Sequence, residues 1–296
     1  MNNNKNPECV YCNSTETGFF LKNNAFSYFK CKDCNLVFLF PQSSEKHTLF
    51  SNKRMYGERN KIVEYFKREK YYQGVSSRII KQIKKYQKKG KLLDVGSSYG
   101  LFLNEARRAG FDVFGVEKEK EATDYSKKRF NLKIFNNYFE NLKGGQYDIV
   151  SFIDVLEHLP NLKLVLAKTK KLLKSDGILF IQCPNLQSLV FKLTKEKWNW
   201  LLPNVHLYHF SIKSLKKVLE ENGFRVLSVK TYDNVSEFAY NLIDVLGIKK
   251  VPQNFLKKLF WKSLRIFFLV ILQLSFVWSY FGYGGSINII AKKNNH

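Results

Sequence analysis

"LLDVGSSYGLFL", Leu92 to Leu103, is the stretch that decides the fold. An apolar run enters a glycine-bearing turn, and an apolar-periodic segment leaves it, which reads as strand, loop and helix. Such a loop lies at the carboxyl edge of a sheet, where free N–H groups at the helix start can hold a polar or anionic group. Its spacing separates the possible guests. A dinucleotide fingerprint needs Gly at the first, third and sixth positions, and here Gly96, Ser98 and Leu101 occupy them. A P-loop needs Gly-Lys-Ser/Thr, which "GSSYGLF" lacks. What remains is acidic-x-Gly-x-x-x-Gly: Asp94, Gly96 and Gly100, with Ser98 still able to offer its N–H. Glu117 closes the next strand-like run, where a carboxylate can accept both hydroxyls of a ribose.

Outward from that loop, short apolar runs alternate with helical segments, the pattern of parallel strands with crossover helices. "KLLDV", "DVFGVE", "LKIF", "YDIVSFID", "GILFIQC", "FRVLSVKTY" and "GSINIIAKK" read as seven strands. "LFLNEARRAG", "KEATDYSKKRF", "LKLVLAKTKKLL" and "SIKSLKKVLEENG" read as helices, the last capped by Ser211 or Ser214. The expected fold is α/β: a Rossmann-like, seven-stranded, mostly parallel sheet with helices on both faces. The expected division is a module over 1–45 built on Cys9, Cys12, Cys31 and Cys34, whose paired spacing is that of a zinc ribbon, a helical linker or cap over 46–90, the core over 91–232 and 286–296, and a hydrophobic helical insert over 233–285.

With "GVEKEKEATDYSKKRF", "YDIVSFIDVLEHLPNL", "LLKSDGILFIQCPN" and "HLYHFSIKSLKKVLEENGF" added, the chain resembles the class I S-adenosylmethionine-dependent methyltransferases. The resemblance covers roughly residues 75–232 and the last strand. The front "CVYC…CKDCNLVF" is similar to a zinc-headed branch that includes sugar and surface-glycan methyltransferases, while "VLEHL" is shared with the ubiquinone O-methyltransferase branch. The resemblance implies S-adenosylmethionine as cofactor and assigns roles. Asp94 orients the loop and the methionine ammonium, and Gly96 and Gly100 admit backbone to the methionine moiety. Glu117 binds the ribose, Tyr138 and Phe139 flank the adenine, and Asp154 lies beside the transferred methyl. Tyr138 departs from the acid often found at its position.

Cys9 and Cys12, then Cys31 and Cys34, form two C-x2-C pairs within the spacing of a four-thiolate zinc site. Four sulfurs leave no open coordination position, so the expected zinc is structural. Cys183, alone in a strand-like run, reads as a small buried residue. Of the five histidines, His158 in "DVLEHLP" is expected to begin the helix after the fourth strand, next to the methyl. His206 and His209 in "HLYHF" are expected to line the acceptor pocket; all three are candidate proton acceptors because imidazole titrates near neutrality.

Hydrophobic residues at 45% and aromatics at 16% exclude a disordered chain. A net charge of +24 invites anionic partners. With Arg scarce among the 49 basic residues, and no Asn/Asp-Pro-Pro-aromatic motif after the fourth strand, the charge argues against nucleic acid. "MNNNKNPECVYC" has no apolar core of a secretory signal, so a cytoplasmic protein is expected, with a peripheral position at the inner face of the membrane as an option. That option comes from the insert: Ile266 to Ala291 carries no charge, and six basic residues from Lys249 to Arg265 precede it. If the flanking strands pair in one sheet, a single membrane crossing is impossible. An anionic membrane surface met through 249–281, or a packed lid, is then expected. The expected acceptor is small or lipid-linked, a sugar of a surface glycan or a related metabolite. The alternatives are an RNA methyltransferase, a quinone-type O-methyltransferase and a non-catalytic cofactor-binding module.

Overall fold

The computed structural model describes residues 6–42, 59–203, 205–233 and 274–294, with isolated positions 238, 259, 262, 263 and 266. In chain order the elements are β1 (Thr17–Asn23), β2 (Phe26–Cys31), β3 (Val37–Phe40), α1 (Arg59–Lys67), α2 (Glu69–Ile83) and β4 (Gly90–Val95). There follow α3 (Leu101–Arg108), β5 (Phe111–Glu117), α4 (Lys120–Phe130), β6 (Lys133–Asn136), β7 (Tyr147–Ile153), α5 (Leu162–Leu172) and β8 (Leu173–Pro184). The last are α6 (Leu189–Thr194), β9 (Tyr208–His209), α7 (Ile212–Glu221), β10 (Phe224–Tyr232), α8 (Ser275–Tyr280) and β11 (Ser286–Lys293). Two compact units result: 1–42 with 183–216 and 229–288, and 43–182 with 217–228 and 289–296.

The Rossmann-like sheet has seven strands in the order β10-β11-β8-β7-β4-β5-β6. β4 pairs in parallel with β5 on one side and β7 on the other, and β5–β6 and β7–β8 are parallel too. Leu92, Leu93 and Val95 of β4 are almost fully buried, as a central strand covered on both faces requires. The chain runs outward to β5 and β6, then returns to β7 and β8, so the order reverses beside β4. Crevices at such a reversal, outside the carboxyl ends, are where open α/β sheets bind ligands. Val95 lies level with Val116 and Phe152, so the loops after β4, β5 and β7 leave the sheet at one edge.

Helix ends follow local chemistry. Gly110, with φ +94°, lies just past the end of α3, and Asn131 at φ +50° closes α4. Ser211 and Ser214 cap α7 reciprocally: each backbone N–H donates to the other's hydroxyl, at 2.9 and 3.1 Å. The helix expected to begin at His158 begins instead at Leu162. Residues Leu156–His158 make one 3-10 turn, Pro160 follows, and Asn161 at φ +55° caps α5 by accepting from the Leu164 N–H at 3.2 Å.

In the other unit β1, β2, β3 and β9 form a second sheet in that order, the neighbours antiparallel. Its core gathers Tyr28, Val37 and Leu39 with Phe191, Trp198 and Leu201. The N-terminal segment is thus joined in its sheet by the two residues Tyr208–His209. Most of the expected insert lies outside the described residues. Among the described residues no helix is long and apolar enough to cross a membrane.

Candidate active site

The loop after β4 is shaped by two glycines with no room for a side chain. Gly96 has φ +71°, and a Cβ there would come within 2.6 Å of Val155 Cγ2. Gly100 has φ +78°, and its Cβ would meet Leu132 Cδ1 at 2.6 Å and Ser126 Cβ at 2.9 Å. Ser98 also lies in the left-handed region, at φ +48°, a conformation that costs a non-glycine residue roughly 1 kcal/mol. Its N–H donates to Glu117 Oε2 at 2.9 Å, a charge-assisted bond that offsets the strain. Gly96→Ala combines a left-handed backbone with a clash against a branched side chain. It is expected to lower stability by about 2 kcal/mol, read as a shift in the urea unfolding midpoint.

Two buried carboxyls flank that loop. Asp94, 3% exposed, accepts from Ser151 Oγ at 2.6 Å. Burial pushes its carboxyl up to about 7, against the Ser151 hydrogen bond and helped by the charge of Glu117. Glu117, 7% exposed, also accepts from the Glu119 N–H at 2.9 Å, and burial raises it too. Asn136 braces the same corner by donating to the backbone oxygens of Glu117 and Lys118, both at 3.0 Å.

The two expected adenine neighbours differ in exposure. The Tyr138 ring is about half exposed, with Lys118 Nζ 5.9 Å from its centre. Phe139 is buried edge-on against Phe152 at 5.5 Å, so its ring belongs to the core and only Tyr138 presents a face to the surface.

The end of β7 carries a second pair of acids. Asp154, at φ +54°, donates its N–H to the Gln182 oxygen at 2.9 Å and accepts from Gln182 Nε2 at 3.0 Å. Glu157 is 1% exposed, and neither carboxyl oxygen has a hydrogen-bond partner among the described residues. Burial, then the charge of Asp154, drives Glu157 far above the ordinary carboxyl range; burial raises Asp154 as well. Burial without a partner thus favours the protonated form of this carboxyl. His158 follows it directly and is half-buried. Tyr65 of α1 stacks on Tyr72 of α2 at 4.6 Å and leans on Tyr99 of the glycine loop at 4.9 Å. Burial raises the Tyr72 hydroxyl; Arg68 opposes this and the charge of Asp154 adds to it, placing Tyr72 within the field of that carboxyl.

Glu157, Ser151, Gln182 and Tyr72 escaped the sequence reading. In "DVLEHLP" the glutamate looks like any surface acid; only burial without a partner marks it.

The other two candidate histidines, His206 and His209, lie in the first unit. His206 Nδ1 is 2.9 Å from the Trp200 oxygen, and its ring stacks on Trp200 at 5.8 Å. His209, in β9, packs edge-on against Tyr28 at 5.2 Å and lies 5.7 Å from His206, centre to centre. Both are at most 2% exposed.

The four N-terminal cysteines converge. Cys9 Sγ lies 3.6 Å from Cys34 Sγ, Cys12 Sγ lies 3.6 Å from Cys31 Sγ, and all four ligand atoms fall within 4.8 Å of one another. A tetrahedral zinc with Zn–S near 2.3 Å holds its sulfurs about 3.8 Å apart, so the donor set fits a zinc ribbon. Each pair ends in a left-handed asparagine, Asn13 at φ +62° and Asn35 at φ +60°; the two knuckles repeat one geometry. Without a metal, Cys9 is pushed down to about 5, chiefly by its hydrogen bond with Cys34, while burial pushes Cys12 up to about 11. A dication bound there would replace those contested protons.

The reversed strand order, the glycine loop and the acid closing β5 define the class: a Rossmann-like domain of the methyltransferase type. The chain belongs to the methyltransferase domain family, whose model matches residues 65–229, more than half of its length. It is, in class, an S-adenosylmethionine-dependent methyltransferase. Among curated relatives, a ubiquinone biosynthesis O-methyltransferase of Pelagibacter ubique is 28% identical over 164 residues, 52% of this chain and 67% of the relative. One of Bartonella quintana is 28% identical over 150 residues, 46% and 61% respectively. The matched stretch thus spans about two thirds or less of those relatives. A solved methyltransferase of Archaeoglobus fulgidus superposes with TM-score 0.51 at 21% identity, covering 78% of this chain and 99% of the other. An O-methyltransferase of a Brevibacillus brevis polyketide multienzyme, in complex with S-adenosyl-L-homocysteine, gives TM-score 0.52 at 15% identity, covering 87% and 82%. At such identities these structures establish the fold.

Proposed function

We propose that this chain moves the methyl group of S-adenosylmethionine onto a hydroxyl of a small or lipid-linked acceptor. The observation that carries the reading is the pair of buried carboxyls, Asp94 and Glu117, on either side of a loop whose glycines cannot be replaced without collision. Asp94 faces the methionine ammonium, Glu117 the ribose hydroxyls, and the exposed Tyr138 ring the adenine. S-adenosylmethionine supplies a methyl already activated by sulfonium, so the protein has only to position the acceptor and take its proton. His158, one residue beyond the buried Glu157, is the assigned base; Asp154 orients the acceptor hydroxyl. The four cysteines are assigned to a structural zinc.

A sugar hydroxyl is the first acceptor class, in keeping with the zinc-headed front. A phenol of a quinone precursor is the second, favoured by what the two curated relatives are named for. Transfer of radiolabelled methyl to nucleotide sugars and polyprenyl-linked sugars, against catechols with a prenyl tail, separates them. Labelling of none, by a protein that also fails to bind S-adenosylhomocysteine, sinks the reading.

The His158→Ala variant is expected to lose about a hundredfold in turnover while its affinity for the cofactor stays as it was. Unchanged single-turnover rates on the labelled acceptor would remove His158 from the role of base.

Asp94 makes cofactor binding depend on pH. Its folded value, about 7, lies above the ordinary 3.8, so the ligand-free chain loses stability as pH climbs through that window. A cationic ammonium needs the ionised carboxylate. Affinity should therefore fall about tenfold per pH unit below 7 and level off above it. Titration calorimetry across this range checks the slope; a flat profile, or the same slope in Asp94→Asn, counts against the assignment.

A further inference from the structure

The first unit carries an apolar face that its core does not use. Among the described residues, α8 is fastened from one side. The Trp278 indole N–H and the Ser279 hydroxyl both donate to Asp233 Oδ2, and Thr231 Oγ1 donates to the Ser279 oxygen at 2.6 Å. The Gly285 N–H adds a bond to Asp233 Oδ1 at 2.8 Å. With positions 278 and 279 held inward, the helix turns Phe276, Val277, Tyr280 and Phe281 outward, at 68%, 42%, 86% and 68% exposure. The neighbouring α6 is tied to this segment by the Leu189 N–H, which donates to the Tyr283 oxygen at 2.8 Å. It contributes an exposed Leu193, and Lys192 with its ammonium 3.8 Å over the Tyr283 ring. Consecutive exposed aromatics on an anchored helix are a docking face rather than scattered surface residues.

Charge selects the partner. Lys192 lies against the aromatic segment through Tyr283, and the 3-10 turn after α6 exposes Lys195 and Lys197 with Glu196 between them. From Val245 to His296 the sequence has eight basic residues and no acidic one. Phenyl rings that seat at the acyl boundary, with lysines at headgroup level, match an anionic bilayer. A soluble protein partner would have to bring acidic groups of its own to meet the same lysines.

We infer that the face formed by α8 and the adjoining turn, with Lys192 and Leu193 of α6, docks on an anionic membrane surface. The inference stands independently of the methyl-transfer reading. Full-length, zinc-loaded protein is to be sedimented with vesicles of phosphatidylcholine alone or with added phosphatidylglycerol. Binding is expected only to the anionic vesicles, falling as salt is raised. Phe276→Ser with Phe281→Ser should weaken it about tenfold or more, at unchanged zinc content and circular dichroism. Lys192→Glu with Lys195→Glu should weaken it at low salt. A Tyr280→Trp reporter should shift its emission to the blue on anionic vesicles. Protein that stays in the supernatant at low salt overturns the inference, as does a double Phe variant that binds like the parent. So does a concentration-dependent dimer, by light scattering, that the Phe substitutions dissolve, since the face would then belong to a second copy.

Discussion

Replacing Glu117 by Ala is expected to weaken S-adenosylmethionine binding by about a thousandfold. A carboxylate gripping both hydroxyls of a ribose makes two charge-assisted hydrogen bonds, together worth about 4 kcal/mol. The substitution also removes the acceptor of the Ser98 and Glu119 N–H groups. Ser98 would then hold its left-handed conformation with nothing to offset it. Two further variants separate these contributions. Glu117→Gln keeps an acceptor for Ser98 while removing the charge, and should recover part of the affinity. Ser98→Gly relieves the strain without touching the ribose contact, and should leave affinity close to the parent's. Calorimetry with S-adenosylhomocysteine is the measurement. A folded Glu117→Ala protein that binds as tightly as the parent would take the ribose role away from this residue.

The second large effect concerns the cysteines. One zinc per chain is expected by elemental analysis, falling to none in Cys34→Ser. That variant is expected not to fold its four-stranded sheet. The apparent binding free energy of a four-thiolate zinc, about 10 kcal/mol or more, is as large as the whole stability of an ordinary domain. The strands β1 and β2 run between the knuckles and β3 follows the second, so the metal fixes both ends of the stretch that carries Tyr28, Val37 and Leu39 into the core. Loss of near-ultraviolet dichroism from the buried Trp198, which packs within that cluster, gives a readout that needs no enzyme assay. A metal-free protein that melts where the loaded one does would be the contrary result.

The sheet was legible because each of its strands carries its own signal. "KLLDV", "DVFGVE" and "YDIVSFID" are apolar runs long enough to be buried on two faces, and the structure has β4, β5 and β7 there. The glycine loop was legible because spacing alone separates its possible guests. Ser98, which read as a departure from glycine, takes the left-handed backbone a glycine would have taken. Other features had no local signature. β9 is two residues long, too short for any periodicity, and exists only because Val37 and Phe38 are there to pair with it. Phe139, which the resemblance put beside Tyr138 against the adenine, packs edge-on against Phe152 in the core at the start of the 3-10 turn Phe139–Asn141. Glu157 is identified by what surrounds it, and a sequence does not print a neighbour list.

The pairing of β3 with β9 also sets a timetable. Val37 leaves the ribosome about 170 residues before its partner His209. At common rates of synthesis the edge of β3 therefore waits on the order of ten seconds or more for cover. During that interval Val37 and Phe38 form an open, apolar strand edge of the kind that recruits other chains. Early metal capture at the knuckles would keep that edge short and fixed in shape. A fragment ending at residue 45 would never escape the interval, and is expected to be sticky even when loaded with zinc. The front of this protein is a half-finished sheet that the rest of the chain completes.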